Sequence, residues 1–388
     1  MANMPVSEMR ILALMGSVLA YGSERANLET LAALRDQGAQ VLLLVSDAEY
    51  AFEFRDYAVS RGFDICPAPC ISPPRSYSKT RPIIDLPVGI ARASIAFLKV
   101  HKAFKPTHIH AANQLFILNV MPALAMVKTP LVYRCGDAPI QHNAVWRATW
   151  RFINRRAARF GAVSRYIAER MVDAGTPREK ITVVYSRPPR RNVAPARARR
   201  EATFNIGFVG QVIAEKGVGL LVEAFEPIAR AFPEARLLIA GRIWEDWDGE
   251  PWGKALRDLT LANPALVDRV EFLGFVEDIP GFLARCAVLV APTLKEEPMG
   301  NVVMEAKQAG VPSIIFRSGG FPEVIQHGVT GYVCAEKSAA ALTEAMATYL
   351  RDPAAAKRQG KAARQSLKKF GVDDFDAHWA AIYQQAAA

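Results

Sequence analysis

The sequence predicts an α/β protein of two similar-sized domains, each built on a parallel sheet. Short apolar runs alternate with longer amphipathic segments, the pattern of strands linked by crossover helices. That rhythm breaks once, between Arg187 and Arg200, and then restarts. At 388 residues the chain is long enough for two separate cores.

The first series opens with a strand from Arg10 to Met15. Arg10 and the run Ile11 to Ala20 also have the outline of a short secretory signal, but a buried strand entering a glycine loop is the plainer reading. Glu24 to Gln37 reads as a helix ended at Gly38, and Gln40 to Val45 as the second strand. Further strands are expected at Thr107 to His110, Pro130 to Tyr133, Arg159 to Val163 and Ile181 to Tyr185. No apolar stretch reaches the length of a membrane span; Ala111 to Val127 is interrupted by Asn113, Gln114, Asn119 and Pro122.

The segment Arg187 to Arg200 carries three prolines and six arginines with no periodic apolar face, so it reads as a linker or exposed loop. The second series follows with strands at Phe204 to Val209, Ala235 to Ala240, Arg269 to Leu273, Ala287 to Ala291, Ser313 to Phe316 and Tyr332 to Cys334.

The formal charge of +10 suits a phosphorylated substrate, an anionic membrane or nucleic acid, and does not choose among them. No nucleic-acid recognition module is present, which disfavours the last. Cys66, Cys70, Cys135, Cys286 and Cys334 are scattered and odd in number. They are expected to be reduced thiols of a cytosolic protein and not a zinc set.

The richest segment is Val288 to Gly310, VLVAPTLKEEPMGNVVMEAKQAG. A strand ends near Pro292, a polar loop follows, and a helix starts near Gly300. Backbone N–H groups around Gly300 and Asn301 then form an anion site suited to a diphosphate. Glu297 lies in the loop and Glu305 inside the helix. A carboxylate accepts two hydrogen bonds side by side, as a sugar diol requires. Acidic residues near a helix start are common, so the pair is weak evidence alone. Downstream, Gly319 and Gly320 would let backbone approach a ligand closely. Upstream, the strand ending at Gly210 leads to Lys216 and Gly217 before a helix, placing a mobile cation near a helix start. A solvated loop lysine is the bland alternative.

Strand-Gly-x5-Lys-Gly, then Phe-Leu-Gly274, the Glu297-x7-Glu305 loop and Gly-Gly-x-Pro-Glu, in this order, resemble the family 4 retaining glycosyltransferases of the GT-B fold. The likeness is strong over about residues 204 to 334. It is weaker over the N-terminal half, at Gly22-Ser-Glu-Arg, Ala162-Val-Ser164 and Glu179 to Val184. The resemblance implies two facing Rossmann-like domains with the active site in the cleft. It implies a nucleoside-diphosphate sugar as donor, with UDP favoured slightly over GDP, and no cofactor or metal. By position, Glu305 would hold the ribose, Glu297 the transferred sugar, and Lys216 the diphosphate. The N–H groups of Gly300, Asn301 and Val302, with Gly210 and Gln211, would complete the donor site. Gly16 or Gly22 would approach the donor phosphate from the N-terminal domain. The acceptor would attack from the face the leaving group occupies, with the phosphate helping to remove its proton. A covalent role for Glu297 is the lesser reading.

Two departures matter. The family usually has arginine where Gln211 stands, so Arg242 or Arg134 would have to supply that cation. A histidine usually follows the fourth-strand region, but Val132 to Pro139 has none, leaving Asp137 or His142 for that role. His108 and His110 alternate on one strand but have no third metal ligand nearby. Asp246-Trp-Asp248 and Asp374-Phe-Asp376 match a two-residue metal signature that often arises by chance; Trp244, Trp247 and Trp252 read as a surface loop.

Trp146 to Phe160 reads as a basic helix with Arg147, Arg151 and Arg155 in one stripe beside Trp146, Trp150 and Ile153. Packing in the sheet domain with a solvated arginine face is favoured slightly over contact with an anionic membrane. Arg75, Lys79 and Arg81 add positive charge in a proline-rich loop.

The expected organisation is therefore an acceptor-side domain over 1–190, a linker over 191–202, and a donor domain over 203–369. A helix over 370–388, with Phe375, Trp379 and Tyr383 on one face, would pack back on the first domain. The expected function is a retaining, metal-independent glycosyltransferase acting on a polysaccharide, lipid-linked or small-molecule acceptor. It is expected in the cytoplasm, with peripheral contact at the inner face of the membrane as the lesser reading. A GT-B-fold epimerase and a non-catalytic nucleotide-sugar scaffold are the alternatives.

Overall fold

A computed structural model describes residues 4–16, 19–69, 85–188, 203–243 and 252–387. Residues 191–202, Cys70, the basic positions 75, 79 and 81, the first Asp-x-Asp triplet, Trp244 and Trp247 lie outside the described residues. The chain divides into two compact units, Met1–Tyr185 with Asp373–Ala388, and Ser186–Val372.

The first unit holds a seven-stranded sheet of β1 (Arg10–Met15), β2 (Gln40–Ser46), β3 (Asp64–Ala68), β4 (His108–Ala111), β5 (Leu131–Cys135), β6 (Ala157–Ala162) and β7 (Ile181–Val183). Their spatial order is β3-β2-β1-β4-β5-β6-β7, and the pairings are parallel. The run from Ile11 to Met15 is buried because β1 sits at the centre, covered on both faces. The order in which strands are added reverses between β1 and β4, the place where such sheets open a crevice at the strand ends.

The connecting helices are α1 (Gly22–Arg35), α2 (Phe52–Ser60), α3 (Asp85–Phe104), α4 (Gln114–Met126), α5 (Ala144–Arg156) and α6 (Arg165–Asp173). Two elements differ from the sequence reading. Strand β3 had no strong signal, because it is short, half-exposed and carries Pro67. Proline is tolerated there because β3 is an edge strand. The helix expected through Phe160 stops at Arg156, and Ala157 begins β6. The Arg156 guanidinium bonds the carbonyls of Leu124, Val127 and Thr129, while Phe160 returns in the sheet to pack 6.2 Å from Trp150 and 6.1 Å from Tyr133.

Helix α14 (Phe375–Ala387) belongs to this first unit and packs along α1 and β6. Its Trp379 lies against Gly161, where a Cβ would come within 2.2 Å of the indole. Tyr383 binds both strand histidines: its carbonyl is 3.0 Å from His108 Nε2, and its hydroxyl 2.7 Å from His110 Nδ1. The two histidines are therefore core side chains held by the last helix.

The second unit holds β8 (Phe204–Val209), β9 (Ala235–Ala240), β10 (Val270–Gly274), β11 (Val288–Ala291), β12 (Ser313–Phe316) and β13 (Gly331–Cys334), in the order β10-β9-β8-β11-β12-β13 and again parallel. Helices α7 (Val218–Ala231), α8 (Trp252–Ala262), α9 (Ile279–Arg285), α10 (Asn301–Ala309), α11 (Phe321–Val324), α12 (Ala339–Arg351) and α13 (Pro353–Ser366) cover it. Its main core joins Ile206, Phe225, Leu237, Val290 and Tyr349, all essentially inaccessible to water. Both units are thus parallel α/β layers of the Rossmann-like kind.

Candidate functional site

In the second unit, the loops leaving β8, β11 and β12 meet, because those strands are neighbours in the sheet. Gly217 makes the first approach possible. Its φ is +72°, and a Cβ there would stand 1.9 Å from the Pro292 carbonyl oxygen. Leu294 N–H donates to the Glu215 carbonyl at 2.9 Å, and Lys295 pairs with the Glu215 carboxylate. These contacts bring Lys216 to Glu297, with Nζ 2.9 Å from Oε2.

The β12 loop closes the other side. Gly319 donates to the Glu296 carboxylate, and Gly320 N–H to the Glu297 carbonyl at 2.8 Å. Ser318 Oγ donates to the Lys295 carbonyl at 2.6 Å, and Lys337 Nζ to the Leu294 carbonyl at 2.8 Å. Glu297 is thereby fixed by its own backbone as well as by Lys216.

Helix α10 begins directly after this loop. Gly300 is its N-cap at φ +84° and supplies no side-chain cap. A Cβ on Gly300 would stand 2.0 Å from the Phe321 ring, so the loop reaches the helix only through glycine. Val303 N–H returns to the Gly300 carbonyl at 3.0 Å. The helix dipole places positive potential at the N–H groups of Asn301 and Val302. Glu305 is half-buried in the second turn.

Gln211 is half-buried beside Gly210, at a crossing so close that a Cβ on Gly241 would lie 1.7 Å from the Gly210 carbonyl oxygen. Val212 N–H donates to the Arg242 carbonyl at 3.2 Å. Arg242 therefore neighbours Gln211 along the backbone, with its guanidinium 5.8 Å from the Phe275 ring centre.

In the first unit, candidate residues gather at the ends of β1 and β5. Gly16 follows β1, where a Cβ would come within 2.0 Å of the Phe116 ring; Gly22 is exposed at the start of α1. Arg134 is buried at the end of β5, with Nη1 3.4 Å from Asn27 Oδ1. Burial lowers its pKa to about 10, while the charges of Asp137, Cys135 and Glu24 act the other way. Asp137 itself is exposed. Its loop is pinned by Gln114, whose Oε1 accepts from Ile140 N–H at 2.9 Å and whose Nε2 donates to the Trp146 carbonyl at 2.8 Å. His142 is exposed, 6.3 Å ring to ring from Trp146. Arg134 lies in the first unit, and Arg242 lies in the second with Gln211.

The sequence reading missed Gln114, Asn27 and the Glu296–Lys337 contact. Nothing in their local sequence marks them, since each acts through a partner distant in the chain. Among the described residues, no three His, Cys, Asp or Glu side chains converge as a metal set. Cys66, Cys135, Cys286 and Cys334 are free thiols, and burial pushes the Cys334 thiol up to about 12.

The family described as glycosyl transferases group 1 matches residues 190–366, and the glycosyl transferase 4-like domain matches residues 21–186. Glycogen synthase of Mycobacterium tuberculosis is 34% identical over 188 residues, covering 47% of this chain and 41% of the relative. The 2-deoxystreptamine glucosyltransferase of Streptomyces kanamyceticus is 30% identical over 256 residues, covering 62% of each. The matched stretch thus spans only about two fifths to three fifths of these relatives. Among solved structures, Anabaena Alr3699/HepE in complex with UDP-glucose superposes with a TM-score of 0.77 at 21% identity, over 96% of this chain and 99% of that one. A glycosyltransferase from Rickettsia africae superposes at 0.78 with 16% identity, over 98% and 99%. At those identities the likeness establishes the fold, which is GT-B.

Proposed function

The chain belongs to the glycosyl transferases group 1 family, and from that premise we propose that it moves a sugar from a nucleoside-diphosphate donor to a hydroxyl acceptor, with retention and without a metal. The observation that carries this reading is the Lys216–Glu297 pair beside the N-terminus of α10. It sets a cation, a carboxylate and a helix dipole within one cluster of loops.

Each group has a part in the chemistry. The reaction breaks the bond between the sugar and the diphosphate, so negative charge grows on the leaving oxygen. Lys216 and the N–H groups of Asn301 and Val302 would stabilise that charge without reorganising. Glu297 would accept hydrogen bonds from hydroxyls of the transferred sugar, and Glu305 from those of the ribose. Gly210 and Gln211 would line the phosphate path, with Arg242 supplying the cation that Gln211 lacks. Gly16, Gly22 and Asp137 are the proposed contribution of the first unit to donor phosphate and acceptor. The UDP-glucose bound by Anabaena Alr3699/HepE supports UDP over GDP. The acceptor is proposed to be a glycan or a lipid-linked sugar.

Two features favour a non-catalytic nucleotide-sugar scaffold: Gln211, which removes a charge from the diphosphate clamp, and the absence of a histidine from Val132 to Pro139. One experiment separates the readings. Purified protein is incubated with UDP- or GDP-sugars, with and without acceptor candidates, alongside Glu297→Ala. Donor turnover by the wild type and its loss in the variant, with nucleotide binding kept, supports transfer. Binding without turnover in both supports the scaffold. Release of an epimerised sugar without acceptor supports an epimerase.

A further inference from the structure

Three lysines stand around the loop that carries Glu297, and each is paired with a different glutamate. Lys216 bonds Glu297 at 2.9 Å, Lys295 pairs with Glu215, and Lys337 Nζ lies 3.4 Å from Glu296 Oε1. The pairs cross between loops: Glu215 and Lys216 follow β8, residues 295–297 follow β11, and Lys337 follows β13. The charges within the three pairs cancel.

Lys337 is the most fully engaged of the three. An ammonium has three N–H donors. Here they meet the Leu294 carbonyl at 2.8 Å, Glu296 Oε1 at 3.4 Å and Ser318 Oγ at 3.4 Å. Glu296 in turn accepts the Gly319 N–H. One ammonium thus ties together the loops that leave β11 and β12, and its capacity is used in doing so.

We propose that the Lys337–Glu296 pair selects the class of sugar on the donor: a neutral hexose is accepted and a uronic acid is rejected. The inference deepens the proposed function and rests on its assignment of the transferred sugar to Glu297. Hydroxyls of a neutral sugar donate to carboxylate oxygens and need no cation. A uronic acid brings a second carboxylate. A pyranose is small enough that a carboxylate on any of its carbons stays within Coulomb reach of Glu297. The cation that could answer it, Lys337, is held by Leu294, Glu296 and Ser318, and drawing it away would leave Glu296 without its ion pair. Lys216 is taken by Glu297 and, in the proposed complex, by the diphosphate. Arg317, on the β12 loop, is exposed to water, where its charge is screened. Rejection comes from unanswered like charge, which is a general route to specificity.

The test measures binding of UDP, UDP-glucose and UDP-glucuronate to the full chain by calorimetry. The two sugar nucleotides differ only at C6, a CH2OH against a carboxylate. GDP, GDP-mannose and GDP-mannuronate repeat the comparison on the other base. Each affinity is divided by the same protein's affinity for the free nucleotide, so a general loosening of the site cancels. The wild type should favour the neutral sugar on the order of 10- to 100-fold. Glu296→Gln keeps an oxygen for the Gly319 N–H and releases Lys337, so the preference should shrink by about 10-fold. Lys337→Met leaves Glu296 unpaired, so the preference should grow. Both side chains are partly exposed, and circular dichroism checks that each variant folds. Shifts in opposite directions are what a merely structural pair would not give. Shifts of the same sign in both variants overturn the proposal. So do equal wild-type affinities for the neutral and acidic sugars, which would mark Arg317 as the partner of the added carboxylate. A wild type that binds neither UDP nor GDP overturns the donor site itself and this inference with it, whereas nucleotide binding without discrimination overturns this inference alone.

Discussion

Lys216 and Glu297 stand 81 residues apart in sequence and share a 2.9 Å bond between Nζ and Oε2. Each is partly open to water, so the pair adds little to stability. In the proposed donor site its worth is positional, because the bond holds both side chains beside the start of α10. Lys216→Met should therefore change the unfolding free energy only slightly, by less than about 1 kcal/mol. It should lower turnover of donor by about 10²- to 10³-fold. Steady-state kinetics beside thermal unfolding check both. A large loss of stability with unchanged turnover would refute the positional role.

Gly300 offers a second test of the same loop. Its φ of +84°, and the 2.0 Å that would separate an added Cβ from the Phe321 ring, leave no room for alanine. Gly300→Ala should cost about 1–2 kcal/mol from backbone conformation and a further ~1–3 kcal/mol from overlap. Because the strain falls at the first turn of α10, donor KM should rise more than a globally destabilised enzyme would show. Calorimetry and donor titration of the variant below its melting temperature separate the two effects.

The architecture was legible because buried parallel strands read as continuous apolar runs. Arg10 to Met15, Phe204 to Val209 and Ser313 to Phe316 are the clearest cases. The helix start at Asn301 was legible because Gly300 closes a polar loop just before the run Asn301-Val-Val-Met304. What the sequence hid depends on partners far along the chain. Pro67 concealed β3, whose strand character comes from pairing with β2. The end of α5 was set by carbonyls of residues 124 to 129 and by Tyr133, which no local window contains. His108 and His110 had no role in the sequence beyond a weak ligand pair, and Tyr383, more than 270 residues away, is their partner.

Lys307 lies on α10 two residues beyond Glu305 and is essentially buried. Its Nζ donates to Ser366 Oγ at 2.8 Å and sits 5.5 Å from the Phe370 ring. Burial lowers its pKa to about 8, and the nearby charge of Lys369 adds to the effect. The folded state thus releases this proton more readily than the unfolded chain, whose lysine titrates near ~10.4. Between those values the unfolded state holds more protons, so stability rises with pH across roughly 8 to 10. Below pH 8 the full cost of the buried charge, on the order of 3 kcal/mol, is present. Lys307→Met should remove it, raising stability at pH 7 and flattening the dependence from pH 8 to 10. Urea unfolding at pH 7, 8, 9 and 10 measures this. An unchanged slope in the variant would show that Lys307 is not the titrating group.

His110 gives the acid-side counterpart. It is fully buried on β4, with Nδ1 2.7 Å from the Tyr383 hydroxyl, and its Nε2 has no partner among the described residues. Burial lowers its pKa to about 3, and the charge of Arg134 pushes the same way. The folded state keeps the ring neutral while the unfolded ring takes a proton near pH ~6.5. Between about 3 and 6.5 the unfolded chain therefore binds more protons, and stability falls as the pH is lowered through that window. Tyr383→Phe leaves the ring buried and strips its Nδ1 partner, which should cost about 1–3 kcal/mol at pH 7. His110→Phe should remove the His110 contribution to acid sensitivity, whatever it does to packing. Unfolding free energies at pH 7 and pH 5 for the three proteins give the comparison. The drop from pH 7 to 5 should shrink in His110→Phe and persist in Tyr383→Phe. Equal drops in all three would assign the acid sensitivity to other groups.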